Sequence, residues 1–544
     1  MTFNVSFIHK NLALRWLYVT NPFYHAFIKE YTLKSSIHQV IEDLKESNTH
    51  VVGLSVYIFN HEKSKQLIQA IKKQLPHILI LVGGPEVTYQ VEQWLEYGAH
   101  KVIKGEGEFA FWQAIESDDI TGVATKDKPN TSVLQVDLHK LENYPNPYFL
   151  DIDKKDEQYR YLYVEASRGC PFSCTYCMAS IEHGVRSFSL SYMQNILSQI
   201  EHSNVKSIKF LDRTFNSSPQ RALQLIEALN NIKRPLSVQI EVEVSIWDDL
   251  LHDFFIKHGK KDRFRFEIGI QTFNQTTLKS IQRKQNNEKL KHVIASLTQA
   301  GYVVHADLIS GLPYENKAQF ARSFNELLKL YPSEIQLGIL KGLHGTKLKE
   351  QAKHLNIVFD PQPPYSIVKS PWMSESDLLD MQYAALAVDK IYNKQLALSL
   401  IQHVANKDID MLDYFVDVGC CISKLKHPYQ VKDVVMCILH NTNVVTFDKA
   451  LALLALDFGK KSKQKVKDLP FIEFDSDDVM KMQLDISERL SLPLSMWRSN
   501  SWLYVCDVHD EIGYQWIVYS MKKRYYYFKG AQFVYEQDHT ISHP

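Results

Sequence analysis

Three of the chain's seven cysteines lie close together in the segment SRGCPFSCTYC at residues 167–177. Cys170, Cys174 and Cys177 are separated by three and then two residues, so that one loop can wrap around a single inorganic centre. Their thiolates are soft ligands that suit zinc or an iron–sulfur cluster. Gly169 permits a tight approach to such a centre, and Pro171 fixes the backbone after the first ligand.

Two kinds of inorganic centre fit this spacing. A four-iron cubane held by three thiolates keeps one iron open. A structural zinc ion requires four ligands, and His183 is the candidate for the fourth. The sequence favours the cluster, and a Cys₃His zinc site is the alternative.

Polar side chains also lie at the carboxyl ends of several later strand patterns, which is the active end of parallel barrels. Glu241 and Glu243 fall on one face of their strand because side chains alternate along it. Any one of these residues can instead be a helix cap or a salt-bridge partner. The candidates, in strand order, are Asp212 and Arg213, Glu241 and Glu243, Glu267 and Gln271, and Asp307.

The front of the chain carries two further strand ends that suit a ligand. GLSVY contains Ser55 and Tyr57, and LVGGPE contains Gly83, Gly84 and Pro85, where glycine permits close backbone approach.

A third motif, GEGEFA at residues 105–110, fits the dinucleotide fingerprint G-x-G-x-x-A. It follows the fourth strand pattern instead of the first. Glu106 and Glu108 would also place negative charge against a pyrophosphate. We interpret this motif as a turn at the edge of the first domain.

The elements that position these residues fall into separate regions. In residues 1–125, buried strand patterns such as Val51–Tyr57 alternate with helical patterns such as Asn11–Val19 and Ile37–Glu46. This order predicts an α/β domain with a doubly wound parallel sheet. Residues 126–160 are polar and contain three prolines, which is typical of a linker.

The remainder predicts two more domains. In residues 161–350, six strand patterns alternate with helical patterns, as in a partial (β/α)₆ barrel of the TIM type. Residues 351–544 begin with the proline-rich DPQPPYSIVKSPW, continue with a helical pattern at Glu375–Asn393 and end in aromatic strand patterns. We predict a mixed α/β C-terminal domain there.

Composition excludes several classes of function. The 62 acidic and 62 basic residues cancel, so a polyanion-binding surface does not follow, and no nucleic-acid partner is indicated. The chain shows no signal-peptide pattern, and no apolar run approaches the ~20 residues that span a bilayer. Seven cysteines in 544 residues do not make a disulfide framework. We expect a cytoplasmic protein. The remaining cysteines, Cys420, Cys421, Cys437 and Cys506, could hold a second centre, but their scattered spacing favours buried small apolar side chains.

The CxxxCxxC motif after a first barrel strand, with Tyr176 before its last cysteine, resembles that of the radical S-adenosylmethionine (SAM) enzymes. The resemblance implies a 4Fe–4S cluster on Cys170, Cys174 and Cys177, with its open iron chelated by SAM. GIQT and DLISGLP are similar to stretches of that superfamily. The SAM contacts that it implies are Tyr176, Asp212, Arg213, Glu243 and Gln271, where Arg213 would pair with the carboxylate of SAM. Asp212-Arg213-Thr214 replaces the family's usual Gly-Gly-Glu.

The front domain is similar to cobalamin-binding domains. In them, a strand-end serine and a later Gly-Gly contact the nucleotide tail; the corresponding residues are Ser55, Gly83 and Gly84, with Tyr57 and Pro85 beside them. Such a domain ahead of the barrel resembles cobalamin-dependent radical SAM enzymes, in a subgroup with an uncharacterised C-terminal domain. Cobalamin proteins that ligate cobalt on its lower face through a histidine carry the motif Asp-x-His-x-x-Gly, and FIHKNL occupies that place here. We therefore expect His9 to be hydrogen-bonded to backbone and not to ligate cobalt.

The resemblance implies an enzyme with three cofactors: the cluster, SAM and cobalamin. It would cleave SAM reductively to a 5′-deoxyadenosyl radical and methylate an unactivated carbon of an unknown substrate. An electron donor such as flavodoxin or ferredoxin is the implied partner. Two alternatives are a radical cyclisation or rearrangement without methyl transfer, and a non-catalytic cobalamin or iron–sulfur scaffold or sensor.

Overall fold

The computed structural model describes residues 1–445 except 23–24, 182–183 and 408. It further describes six single residues between 450 and 488 and the backbone of four strands between 501 and 537. His183 and Cys506, which the sequence analysis singled out, lie outside the described residues.

The front domain alternates strands and helices along residues 1–124. Its strands are β1 (Thr2–Asn4), β2 (Glu30–Thr32), β3 (Val51–Ser55), β4 (Leu79–Gly83), β5 (Lys101–Ile103) and β6 (Val123–Ala124). Its helices are α1 (Leu12–Val19), α2 (Ile37–Glu46), α3 (His61–Gln74), α4 (Pro85–Thr88), α5 (Val91–Tyr97) and α6 (Ala110–Glu116). The predicted helices near Asn11–Val19 and Ile37–Glu46 are thus confirmed.

The front sheet has the strand order β3-β4-β5-β6. Its first three strands are parallel and β6 is antiparallel, which the sequence did not predict. Successive residues of β4 belong to different cores, Ile80 and Val82 to one and Leu81 to the other. Both faces are therefore covered, as a parallel sheet requires, and the predicted α/β class is confirmed.

The short strands β1 and β2 pair in parallel and lie beside this sheet. The Ser55 N–H donates to the carbonyl of Met1 at 2.9 Å, so that β1 follows the edge of β3. Between the front domain and the barrel lie one short α-helix, α7 (Leu138–Leu141), and two 3₁₀ turns (Asp151–Asp153 and Glu157–Tyr159).

The second domain contains a six-stranded parallel sheet in the order β14-β13-β12-β11-β10-β7, a partial barrel as predicted. The strands are β7 (Leu162–Val164), β10 (Ser207–Phe210), β11 (Ser237–Val242), β12 (Phe264–Gln271), β13 (Val303–Ser310) and β14 (Glu334–Ile339). The intervening helices are α8 (Leu190–Glu201), α9 (Pro219–Asn231), α10 (Asp249–Lys257), α11 (Gln275–Ser280), α12 (Asn287–Gln299) and α13 (Lys317–Leu328). Each predicted strand pattern has formed a strand.

A hairpin interrupts the barrel directly after β7. Its strands are β8 (Ser167–Cys170) and β9 (Gly184–Ser187), which pair antiparallel and enclose the cysteine segment. Gly169 has a φ of +90°, and a Cβ there would stand 2.2 Å from the carbonyl oxygen of Gly184. Only glycine fits this register, which explains its place beside the first cysteine. We call residues 167–187 the cysteine hairpin.

The tail packs on the open side of the barrel. It contains α14 (Lys347–Gln351), β15 (Val358–Phe359), β16 (Ile367–Lys369), α15 (Glu375–Ala387), α16 (Leu398–Ala405), α17 (Met411–Ser423) and α18 (Val431–Asn441). An antiparallel sheet follows, of β17 (Ser501–Val505), β18 (Tyr514–Ser520), β19 (Arg524–Lys529) and β20 (Gln532–Gln537). One hydrophobic core runs from the barrel helices into α15, α17 and α18.

One expectation about the tail is wrong. Cys421 of α17 and Cys437 of α18 form a disulfide and are not separate thiols. The two helices are adjacent in the chain and lie against each other, so residues 16 positions apart meet. Cys420 is a free, half-buried thiol. Among the described residues, no helix is long and apolar enough to cross a membrane.

Candidate cofactor cavity and cysteine hairpin

A cavity of about 840 Å³ lies between the front domain and the mouth of the barrel. One wall consists of the carboxyl ends of β3 and β4 and the loop after β5. The opposite wall consists of interior residues of β7, β10, β11 and β12 together with the start of the cysteine hairpin. We call it the interdomain cavity. Carboxyl ends of parallel strands are the usual ligand edge of both fold types.

The front wall contains all five residues predicted there: Ser55, Tyr57, Gly83, Gly84 and Pro85. Gly84 has a φ of +116°, and a Cβ there would meet the Val56 carbonyl oxygen at 2.4 Å. At Gly83 the nearest atom to such a Cβ is 3.8 Å away. The sequence predicted that both glycines allow a close approach of backbone. In the structure, Gly84 is the one of the two at which a side chain would collide with neighbouring backbone.

Ser55 and Tyr57 share one neighbour in the cavity wall. The side-chain amide of Asn11 donates to the Tyr57 hydroxyl at 3.1 Å and to the Ser55 hydroxyl at 3.5 Å. The Tyr57 ring stacks on Phe59 with centroids 5.4 Å apart. This wall thus offers one hydroxyl, one phenol and a flat aromatic surface to a bound group.

The three cysteines sit in a loop that is fixed from several sides. The Ser180 hydroxyl donates to the carbonyls of Cys174 and Cys177 at 2.8 and 2.6 Å, closing a tight turn. The Thr175 N–H donates to the carbonyl of Ile281 at 3.0 Å, and its own carbonyl accepts from the Leu348 N–H at 2.9 Å. The loop is therefore held by helix ends on both sides.

The thiols face different chemical neighbours. The Cys170 sulfur lies 3.4 Å from the Thr214 hydroxyl. Burial raises the pKa of Cys174 and Cys177, and the Arg283 guanidinium opposes this at Cys174. Among the described residues, no three His, Cys, Asp or Glu side chains converge tightly enough for a single metal ion.

Arg283, which the sequence analysis missed, joins the cysteines to the predicted SAM contacts. It reaches the Cys174 thiol and donates to the Glu243 carboxylate at 2.7 Å. It also donates to the carbonyl of Gly269, beside Gln271. Gln271 has a φ of +67°, and its Oε1 is buried without a partner among the described residues. An orphaned acceptor beside a buried arginine suits a ligand with hydroxyl and carboxylate groups.

The adjacent residues Asp212 and Arg213 have different surroundings, since the first is buried and the second is exposed. The Asp212 carboxylate is buried, accepting from the Ala166 N–H at 2.8 Å and the Ser167 hydroxyl at 2.5 Å. Burial raises the pKa of Asp212 to about 6, against these two hydrogen bonds. Arg213 is exposed and lines the interdomain cavity. Asp212 therefore holds the start of the cysteine hairpin, while Arg213 can reach a ligand.

Two domain families match the sequence at these two walls. Residues 7–115 match the B12 binding domain, and residues 164–327 match the radical SAM superfamily. The chain joins a B12-binding domain to a radical SAM domain. The family resemblance expected from the sequence is thereby confirmed, and so are its cofactor types: a 4Fe–4S cluster, SAM and cobalamin.

Curated relatives of similar sequence include two bacterial proteins. The cobalamin-dependent radical SAM methyltransferase TokK of Streptomyces tokunonensis is 24% identical over 331 residues, 53% of this chain and 47% of TokK. This chain therefore spans about half the length of that relative. The 4′-phospho-dehydrooxetanocin synthase of Priestia megaterium is 22% identical over 435 residues, which are 70% of this chain and 57% of the synthase.

The fold has a solved counterpart in the cobalamin-dependent SAM radical enzyme OxsB, with aqua-cobalamin and SAM bound. The TM-score is 0.60 at 15% identity, and the alignment covers 92% of this chain and 83% of that one. Because it covers more than the two matched domains, the likeness of fold extends into the tail.

The interior of the radical SAM barrel is polar. Along β12, the buried residues alternate with half-buried ones such as Arg265 and Glu267, and Glu267 faces the interdomain cavity. Glu241 also lines the cavity, and burial raises its pKa to about 7. Glu243, two residues further along in extended backbone, directly follows the strand end and pairs with Arg283.

The Asp307 carboxylate pairs with a histidine of its own strand. The His305 ring lies 3.1 Å from both the Asp307 and the Glu334 carboxylates. Burial alone would lower the pKa of His305, but these carboxylates raise it to about 10. The three side chains form a charged cluster within the barrel wall.

His9 lies at the junction of both domains and lines the interdomain cavity. Its Nδ1 is 2.6 Å from the Tyr163 hydroxyl, and the two rings stack. The expected hydrogen bond to backbone is made by the main chain, where the His9 N–H donates to the Ser6 carbonyl at 3.3 Å. The ring bonds a phenol instead, because β7 places Tyr163 within reach. Tyr163 was not predicted as a site residue. Its one signal in the sequence is its place in the aromatic strand pattern YLYVEAS at residues 161–167.

Proposed function

We propose that this chain is a cobalamin-dependent radical SAM enzyme that transfers a methyl group to an unactivated carbon of a substrate. The interdomain cavity carries this proposal, because its B12-binding wall faces the cysteine hairpin of the radical SAM domain across one shared space. A carbon radical formed on the barrel side would therefore arise next to the methyl carrier. The sequence relatives that are named methyltransferases support the same function.

Different residues would hold each of the three cofactors, the 4Fe–4S cluster, SAM and cobalamin. Cys170, Cys174 and Cys177 would hold the cluster. The orphaned Oε1 of Gln271 and the cation of Arg213 suit the hydroxyls and the carboxylate of SAM. When bound, the cluster and SAM supply a radical, and cobalamin supplies a methyl carrier.

The front wall would receive cobalamin. Gly84 keeps it free of side chains at the turn, and Tyr57 with Phe59 provides an apolar platform. The Oε2 of Glu108, buried and without a partner among the described residues, can accept a hydrogen bond from an amide. These roles orient the cofactor and exclude water from the space beside it.

Anaerobic turnover tests the proposal. The reconstituted protein with cobalamin, SAM and dithionite should form 5′-deoxyadenosine, and S-adenosylhomocysteine should appear with a methylated substrate. An electron donor such as flavodoxin or ferredoxin would replace dithionite in the cell. Formation of neither product by fully loaded protein would contradict an enzyme and favour the scaffold or sensor.

A second candidate is a radical cyclisation or rearrangement without methyl transfer. The relative from Priestia megaterium favours it, because it matches the larger share of this chain and is named a synthase, not a methyltransferase. The same experiment separates the two functions. 5′-Deoxyadenosine without S-adenosylhomocysteine, in the presence of substrate, would select the rearrangement.

A further inference from the structure

The cysteine hairpin carries an arginine on each strand, and both face the B12-binding domain. Arg168 of β8 and Arg186 of β9 are register partners in the antiparallel pair. The first stands two residues before Cys170, so contacts that hold these two strands also constrain the start of the cysteine loop. From the sequence, the facing motif at residues 105–110 is predicted only to be a turn.

Glu106 of that motif binds both arginines. Its carboxylate accepts from Arg186 at 2.5 and 3.0 Å and lies 3.3 Å from Arg168. Two planar guanidinium groups on one carboxylate fix the angle of the hairpin as well as its distance. We call Glu106, Arg168 and Arg186 the hairpin clamp.

Two more glutamates complete the surroundings of Arg168. Glu108 lies 2.7 Å from Arg168, and Glu165, three residues before it, accepts at 2.6 and 3.0 Å. The side chains of Glu106, Glu108, Glu165 and Arg168 are only 9–13% exposed. Water therefore screens these pairs weakly, and loss of one partner leaves a buried charge uncompensated.

Glu106 itself is rigidly placed in the B12-binding domain. Gly105 has a φ of +88°, and a Cβ there would meet the Leu134 carbonyl oxygen at 2.4 Å. The Val136 N–H donates to Glu106 Oε2 at 2.6 Å, and the Glu106 N–H donates to the Leu134 carbonyl at 3.1 Å. The carboxylate is thus anchored to backbone before it meets the arginines.

The clamp stands where the two walls of the interdomain cavity meet, since Glu106, Glu108, Arg168 and Gly169 all line it. We propose that Glu106 is a positioning residue that fixes the cysteine hairpin, and with it the cluster, at a set distance and angle from the cobalamin wall. This inference rests on the proposed function only for the identity of the two cofactors. The two glutamates of the G-x-G-x-x-A motif therefore bind arginines, whereas their negative charge would oppose binding of a pyrophosphate.

Glu106→Gln is the test, because glutamine keeps the shape but removes the charge shared by two arginines. Glu30→Gln is the matched control: Glu30 is also a buried front-domain glutamate between two arginines, Arg15 and Arg160, but both lie outside the hairpin. Arg186→Lys, which keeps the charge without the fork, should have an intermediate effect.

The first measurement is hydrogen exchange of the full chain. Peptides within 167–187 should exchange about tenfold faster in Glu106→Gln and remain unchanged in the control, as expected for loss of a charge-assisted buried contact. Equal protection of the hairpin in Glu106→Gln and the parent protein would overturn the proposal, as would equal loosening in the control.

The second measurement uses protein loaded with both cofactors. Electron paramagnetic resonance of the reduced cluster with cobalt(II) cobalamin reports their magnetic interaction, which depends steeply on distance. We expect altered relaxation or broadening in Glu106→Gln at unchanged iron and cobalt content. Unchanged spectra would overturn the clamp, whereas a parent protein that loads neither cofactor would contradict the proposed function instead.

Discussion

At the scale of single residues, each thiol has its own environment. Cys170, Cys174 and Cys177 lie in the cysteine hairpin, and the free thiol Cys420 does not. Replacing Cys170, Cys174 and Cys177 together by alanine should reduce bound iron, after anaerobic reconstitution, from about four per chain to near zero. Cys420→Ala is the control, because that free thiol lies in α17. Iron analysis and the brown absorbance measure both. A triple variant with full iron content would contradict the assignment.

His9 allows a prediction about cobalt. Its Nδ1 is engaged by Tyr163, and the imidazole stacks on that ring instead of facing a carboxylate that would orient it as a ligand. We expect the cobalt(II) spectrum of the loaded protein to lack the triplet splitting of a lower-face nitrogen. His9→Ala should give the same spectrum. Triplets that are present in the parent and vanish in the variant would show that His9 ligates cobalt.

His305 predicts a pH dependence of stability. Its pKa is about 10 in the folded protein, raised from 6.5 by Asp307 and Glu334 against burial. Its contribution is therefore complete below pH 6.5 and is lost as the pH rises through about 10. His305→Asn should lower the melting temperature most near pH 6, by the equivalent of about 2 kcal/mol, and least near pH 10.

Thermal scans at pH 6, 8 and 10 measure this difference. His202→Asn is the control, since the His202 side chain is exposed and hydrogen-bonds the Ser198 carbonyl and not a carboxylate. A gap between parent and His305→Asn that stays constant or widens towards pH 10 would contradict the assigned cluster.

The turn between β4 and α4 is decided at the scale of elements. Gly84→Ala should destabilise the protein by about 1–3 kcal/mol, because a Cβ at φ +116° would strike the Val56 carbonyl oxygen. Gly83→Ala should change stability by less than about 0.5 kcal/mol, since a Cβ there has ordinary contacts. Denaturant unfolding compares them. Equal losses would show that the turn tolerates a side chain.

Periodicity predicted the elements well, because each strand of the barrel is apolar on alternate residues or buried on both faces. It failed for β6 and for the cysteine hairpin. β6 has two residues, too few for a pattern, and the four-residue β8 contains Gly169, which has low strand propensity. Both depend on pairing with a partner strand that only the folded chain supplies.

At the scale of the whole molecule, the tail joins the barrel to the B12-binding domain. The Tyr365 hydroxyl donates to Glu86 at 2.5 Å, where the His61 ring also lies 2.7 Å away. Tyr365 is 2% exposed. Among the described residues, the lining of the interdomain cavity ends at Glu267, and this contact of the tail lies at the domain interface.

Tyr365→Phe should therefore lower stability by about 1–3 kcal/mol, because the Glu86 carboxylate loses a buried donor. Tyr159→Phe is the control, with a side chain that is 63% exposed. Differential scanning calorimetry measures both and also shows whether the two domains begin to melt separately. Indistinguishable melting of Tyr365→Phe and the parent would contradict a stabilising link.

The sequence alone determined the chemistry of the chain: three cysteines on one loop, strand-end polar residues and a glycine pair, together with the order of the strands. These features are local, since ligand spacing and side-chain alternation are set by neighbours in the chain. Only the tertiary structure decided which residues meet across long separations. Arg283 beside Cys174, Glu106 between two arginines and the Cys421–Cys437 disulfide have no local signature, because each depends on how distant elements pack.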